Sequence, residues 1–374
     1  MPGQDRNSPA SNPAANDAAR AALFQQGFFS SIELPSQAWA DGASYAFQLP
    51  HSGIGLWASL RFTGTLTWTG ANKPNLNALA PFCLIQNVKY QDYLGNTRIN
   101  AGGPALHAVE MLKNYDDTAG ETPNAVAKRG YSNGLIDVFA PGPTTAVGVP
   151  YDFALQVPFS LHENTTIGTI PFTVPAGNNV LYVTLNPLVG TTAGTVNAEN
   201  ALLPVTSVPT ATATGSIFCT YYYIDPLPGQ ELPLMDFAQV YEIVDVKSTD
   251  NLAANATKQI ILPTGRTYQA LYAQIVNGGT WSDTGVNELK FLINESTPTL
   301  DEFYPAYLHR VRRTYGRDMQ AGNFVWDLRA RPISPSNYGS IALQTLFNSS
   351  FVPAGETYHI LTKESLYVLQ TNLY

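Results

Sequence analysis

Residues 287–316 read NELKFLINESTPTLDEFYPAYLHRVRRTYG. Leu289 and Phe291 alternate with Glu288 and Lys290, the period of a strand with one buried face. Asn294, Glu295 and Ser296 then form a turn. Thr299-x-x-Glu302 has the spacing of a capping box, which predicts a helix starting there. Leu300, Phe303, Tyr304, Tyr307, Leu308 and Val311 follow at helical spacing and give that helix one apolar face. Arg310, Arg312 and Arg313 suit the negative end of its dipole, and Gly316 is a C-terminal stop. Pro305 conflicts with this reading, because an interior proline removes a hydrogen bond.

The same order occurs upstream in residues 87–114, NVKYQDYLGNTRINAGGPALHAVEMLKN. Val88 and Tyr90 mark a strand and Leu94-Gly95-Asn96 a turn. Pro104 opens a helix with Leu106, Val109 and Leu112 inward. A second echo follows each copy: Val174-Pro175-Ala176-Gly177 before NNVLYVTL, and Val352-Pro353-Ala354-Gly355 before ETYHILT. Two features recurring in one order predict two similar domains in tandem. The turn-rich joint Asp225-Pro226-Leu227-Pro228-Gly229 marks the boundary. The expected division is an N-terminal arm over 1–30, a first domain over 31–225 and a second over 226–374.

The segments between are strand-like. Ile54, Leu56, Ala58, Leu60, Phe62, Leu66 and Trp68 share one parity, as one long strand or two bent at Gly64. Phe153, Leu155, Val157 and Phe159 share another, as do Ile217, Cys219, Tyr221 and Tyr223. The second half continues with VYEIVDVKS, KQIILP, TYQALYAQIV, NFVWDL, YGSIALQTLF and YHILTKESLYVL. Many strands separated by Gly, Pro and Asn predict an all-β sandwich or barrel. The aperiodic stretches 114–150 and 187–213 are expected as projecting loops. At the N-terminus Asn16 or Asp17 caps a short helix that ends at Gly27. Leu23, Phe24, Phe28 and Phe29 cluster beside it. These aromatics staple the arm to its own domain, or form a foot against a neighbouring subunit or a membrane surface.

Charged residues make up 13% of the 374, below the usual quarter or so, and hydrophobic residues 44%. A formal charge of -8 and a pI near 5.1 argue against direct nucleic-acid binding, which needs basic surface. No apolar run reaches membrane-spanning length, and no signal peptide is visible. Cys83 and Cys219 read as reduced core thiols of a chain made in the cytoplasm; a disulfide between them stays open.

Catalytic signatures are missing. The sequence has no phosphate-binding glycine motif, HExxH, Cys-x-x-Cys or Gly-x-Ser-x-Gly. His162-Glu163 is the most suggestive polar pair and reads as a solvated loop. Asn164, Asn255, Asn294 and Asn348 fit the glycosylation triplet and read as chance matches. We assign no catalytic, cofactor-binding or metal-binding residue. A double jelly-roll carbohydrate-binding protein or glycan hydrolase, with paired carboxylates across a cleft, is the alternative function.

The wording of several segments resembles the double jelly-roll major capsid proteins of tectivirus-like tailless phages with an internal membrane. The likeness is carried by GQELPLMDFAQVY (229–241), TGRTYQALYAQIVNGGTW (264–281), HRVRRTYG (309–316) and LRARPISPSNYGSIALQTLFN (328–348). LIQNVKYQDYLGN and FALQVPFSLHENT carry it in the first half. The resemblance implies two tandem eight-stranded jelly-roll barrels with short inserted helices and an N-terminal helix. It implies homotrimeric capsomers that tile an icosahedral shell around a membrane vesicle, in a virion assembled from protein made in the host cytoplasm. Implied partners are the chain itself, neighbouring capsomers, penton or vertex and minor capsid proteins, and the internal membrane. Phe24, Phe28 and Phe29 are the residues expected to touch the membrane or a neighbour.

Overall fold

Each half of the chain runs through one order of elements: strands, a hairpin, a helix, then three more strands. In the first half these are β1 (Phe28–Glu33), β2 (Gln37–Ala38), β3 (Ser44–Leu49), β4 (Ile54–Thr69), β5 (Ile85–Gln91), β6 (Thr97–Ala101), α1 (Gly103–Lys113), β7 (Val149–Pro158), β8 (Asn179–Leu185) and β9 (Thr210–Asp225). In the second they are β10 (Gln239–Ser248), β11 (Thr257–Leu262), β12 (Arg266–Asn277), β13 (Thr280–Trp281), β14 (Val286–Ile293), β15 (Thr297–Phe303), α2 (Tyr304–Tyr315), β16 (Asn323–Asp327), β17 (Ile341–Phe347) and β18 (Tyr358–Val368). The computed structural model describes residues 23, 26–69, 81–113, 149–161, 168–169, 177–190, 210–225, 239–248, 252–277, 280–294, 297–315, 322–351 and 358–368.

Pairing follows the repeat. In the first half β1-β9-β4-β7 form one sheet, with β2 also on β9, and β3-β8-β5-β6 form the facing one. In the second, β10-β18-β12-β16 face β11-β17-β14-β15. Strand for strand the two halves match, and each is a jelly roll of eight principal strands; β2 and β13 are short additions. One connection joins them. The β6 edge of the first barrel pairs in parallel with the β10 edge of the second, Ile99 opposite Ile243 and Asn100 opposite Val244. A 9-stranded sheet therefore runs through both barrels.

Alternating side chains fill the first barrel, and strands buried on both faces, such as β12, run through the second. Leu60, Phe62, Leu155, Val157, Val183, Ile217 and Tyr221 are buried in the first, and Leu271, Ile275, Leu289, Phe324, Leu343 and Leu361 in the second. They belong to one continuous cluster. Each such side chain contributes roughly 1.5–3 kcal/mol relative to exposure. β4 is a single strand, with Gly64 opposite Gly215. A Cβ on Gly64 would lie 1.9 Å from the Thr214 carbonyl oxygen, so only glycine lets β9 come this close.

Four expectations are corrected. Thr299 and Glu302 do not open a helix: they lie in β15, the outer strand of a hairpin with β14. The helix begins at Tyr304, which puts Pro305 in its first turn, where the missing N–H costs nothing. The edge position of β15 also tolerates Pro298. The upstream copy has the same extra strand, β6, so the repeated unit is hairpin plus helix. Thr210–Ala213 are not loop; they extend β9 to pair with Leu66–Thr69. Ile54 and Leu56 leave the parity of their strand. A register shift between Gly55 and Trp57 places them in a separate cluster with Leu23 and Ile224.

Of the expected N-terminal helix, Leu23 and Gln26 are described and helical, and the Gly27 N–H donates to the Leu23 carbonyl at 2.6 Å. Phe24, the joint at 226–238, both Val-Pro-Ala-Gly turns except Gly177, the loop cores 114–148 and 191–209, and His162-Glu163 lie outside the described residues. Asn255 and Asn294 sit at positive φ (56° and 52°), turn positions that asparagine tolerates. Cys83 and Cys219 are buried and are not joined in a disulfide.

Candidate assembly surfaces

Among the described residues two regions hold chemistry beyond core packing: the seam between the barrels, and the exposed aromatic surface of the first barrel. The seam begins in the β5–β6 turn. Asp92 accepts the backbone N–H groups of Leu94 and Asn96 at 3.0 and 2.8 Å, which closes the turn. Its other oxygen takes Arg98 Nε at 2.8 Å. That contact aims Arg98 from β6 across to β10, where Nη1 donates to Glu242 Oε1 at 3.3 Å. Arg266 of β12 donates to Glu242 Oε2 at 2.9 Å. Glu242, only 5% exposed, thus sits between two guanidinium groups, one from each barrel. Pairing on both sides is what makes such burial tolerable.

Two backbone contacts complete the seam. The Gly102 N–H donates to Asp245 Oδ2 at 2.9 Å, and the Tyr241 N–H to the Gly168 carbonyl at 2.9 Å. Asp245 retains some exposed surface, but its Oδ1 is enclosed. Burial pushes its pKa up to about 6, opposed by the Gly102 N–H and by Lys363. Burial, with Arg266 nearby, lowers the pKa of Lys363. Inside the second barrel Glu364 accepts both Tyr241 Oη (2.6 Å) and Tyr272 Oη (3.2 Å). Burial holds both phenols well above their usual range.

The helices rest on the barrels through their apolar faces. Leu106 and Val109 of α1 are fully buried, and His107 stacks on Phe82 at 3.8 Å. Tyr307 and Val311 anchor α2, and Tyr307 Oη accepts the Val325 N–H at 2.7 Å. Arg312 and Arg313 remain exposed in its last turn.

Phe28 and Phe29 stand on β1 and are 54% and 56% exposed. Phe29 lies over Trp57 (5.4 Å) and Tyr222 (6.0 Å), themselves stacked at 5.0 Å. Leu23 roofs Ile54, Leu56 and Ile224 beside them. Leu23 thus staples the chain locally, while Phe28 and Phe29 face outward. Among the described residues no cluster of three or more His, Cys, Asp or Glu is placed to hold a metal, and no helix is long and apolar enough to cross a membrane. Two small internal spaces, one beside Trp39 and Phe153 and one beside Arg98 and Tyr241, are about 10 Å³ each, room for a single water.

Sequence reasoning missed the seam. Arg98 and Glu242 are 144 positions apart, and nothing in either local pattern links them.

No protein-family model matches the chain, and no curated protein matches it. Solved structures do. One is from Sulfolobus turreted icosahedral virus, 14% identical with a TM-score of 0.66, spanning 93% of this chain and 92% of that one. Another is from the PBCV-1 virus capsid, 12% identical with a TM-score of 0.57, spanning 91% and 94%. A third is the major capsid protein of bacteriophage PM2, 13% identical with a TM-score of 0.51, spanning 93% and 100%. The chain has the double jelly-roll fold of these viral capsid proteins.

Proposed function

We propose that this chain is the major capsid protein of an icosahedral virus with an internal membrane. One observation carries the reading: two matching barrels, fused edge to edge in one sheet, align over nearly the full length of capsid proteins and of this chain. Its work is assembly. Three copies form a capsomer of six barrels, and capsomers tile the shell. The arm over 1–30 and the barrels over 31–225 and 226–374 are its working parts. Phe24, Phe28 and Phe29 contact a neighbour or the membrane, and penton, vertex and minor capsid proteins bind the lattice edges. The genome is enclosed without direct contact, in keeping with the charge of -8. The phage character of the virus rests on the sequence resemblance; the structures named above come from unlike viruses, one of them a bacteriophage.

The test is electron microscopy of the purified protein after concentration. Sheets or shells with hexagonally packed capsomers are expected. A protein that forms no ordered array, and binds or cleaves a glycan instead, would replace this reading with the carbohydrate one.

A further inference from the structure

We infer that a second copy of this chain docks by edge pairing, the β1 edge of one subunit lying parallel against the β15 edge of the next. This rests on the self-assembly reading above and names the surface that performs it.

The argument starts from the seam inside the chain. β6 is the last strand of its sheet in the first barrel, and β10 is the first strand of its sheet in the second. Each would be an open edge in an isolated barrel, and each covers the other. The two barrels share one topology, so the second barrel has its own counterpart of β6, which is β15, and the first has its own counterpart of β10, which is β1. Among the described residues β15 pairs with β14 alone and β1 with β9 alone. One chain therefore leaves one donor edge and one acceptor edge of the kind it already joins internally. Repeating the internal contact between chains satisfies both. The contact is head-to-tail, so copies close into a ring when the rotation allows.

A second observation picks out the same two strands. Of the seven exposed large hydrophobic residues in the described structure, three lie on these edges: Phe28 (54%) and Phe29 (56%) on β1, and Phe303 (60%) at the end of β15. Within the chain the seam is held by Arg98, Glu242 and Arg266. Between chains the corresponding edges present phenylalanine, as a contact formed by association requires.

The test is cysteine pairing on the full chain. Neighbouring strands bring Cα atoms to about 5 Å, within disulfide range. The native thiols are buried and do not compete. Ser31→Cys is combined in turn with Thr299→Cys, Asp301→Cys and Phe303→Cys, and oxidised with copper–phenanthroline. At least one combination is expected to give covalent dimers and trimers on a denaturing gel, with Ser31→Cys alone giving dimers at most. As a control, Ser31→Cys is paired with Ile261→Cys on β11, and gives no trimer. Separately, Phe28→Asp with Phe303→Asp is expected to convert the oligomer to monomer, with an unchanged circular dichroism spectrum. An oligomer that no β1–β15 pair cross-links, or that survives the double Asp variant, overturns the edge assignment and leaves self-assembly standing. A wild-type chain that is monomeric throughout overturns both.

Discussion

Replacing Glu242 with alanine tests whether the seam binds the two barrels together. The carboxylate accepts Arg98 at 3.3 Å and Arg266 at 2.9 Å. Arg98 is 11% exposed and keeps Asp92 at 2.8 Å, so it is weakened and not stranded. Arg266 is 30% exposed and regains water. Breaking a fully buried pair costs about 3–5 kcal/mol. The retained Asp92 contact and the hydration of Arg266 reduce this to about 2–3 kcal/mol. The comparison is Arg61→Ala. Arg61 holds Asp152 at 2.9 Å, but their side chains are 57% and 51% exposed, and such pairs are worth about 1 kcal/mol or less. Urea unfolding followed by tryptophan fluorescence is the assay. Glu242→Ala is expected to lower the midpoint clearly, and to split the transition if the barrels uncouple; Arg61→Ala is expected to change little. If the two variants unfold alike, within about 0.5 kcal/mol of wild type, the seam is not a structural joint.

Asp245 gives a pH signature. Its carboxyl, moved from 3.8 to about 6 by burial, binds its proton more tightly in the fold than unfolded, so its ionised form opposes folding by about 3 kcal/mol. This group's contribution improves as pH falls from about 7 towards 4. Asp245→Asn, which keeps an acceptor for the Gly102 N–H, should therefore be more stable than wild type at pH 7.5 and equal to it near pH 4 in thermal melts. Tyr307→Phe orphans the buried Val325 N–H and should cost about 1–3 kcal/mol, with faster exchange of that amide. Gly64→Ala drives a Cβ into the Thr214 carbonyl and should destabilise by more than about 3 kcal/mol, read by thermal unfolding. Burial raises the pKa of Cys83, and that of Cys219 to about 12, so neither should react with a thiol reagent at pH 8 until the protein is unfolded.

Alternation made most of the strands legible. β3, β4, β7, β8 and β9 carry it, because one face of each meets a core, whereas β12 and much of β10 and β18 are buried on both faces and read as nearly continuous apolar runs. The repeat was legible as a strand–turn–helix order, although the second hairpin strand of each copy was not and the second helix start was misplaced. TPTLDEF has an apolar residue and a cap-like threonine at helical spacing, and only its pairing with β14 makes it a strand. TRINA is illegible for a different reason: five residues beside a turn signal too little, and β5 and β10 supply the rest. Phe28 and Phe29 stood out as a candidate contact, yet their place on a barrel edge depends on β9, nearly two hundred positions away. The seam was invisible because Arg98, Glu242 and Asp245 are ordinary charges until the fold brings the barrels together.

The most direct measurement is the mass of the purified protein by light scattering across a dilution series. The account predicts a stable species near three times 40.5 kDa, unchanged on dilution. A monomer of 40.5 kDa at every concentration would contradict it.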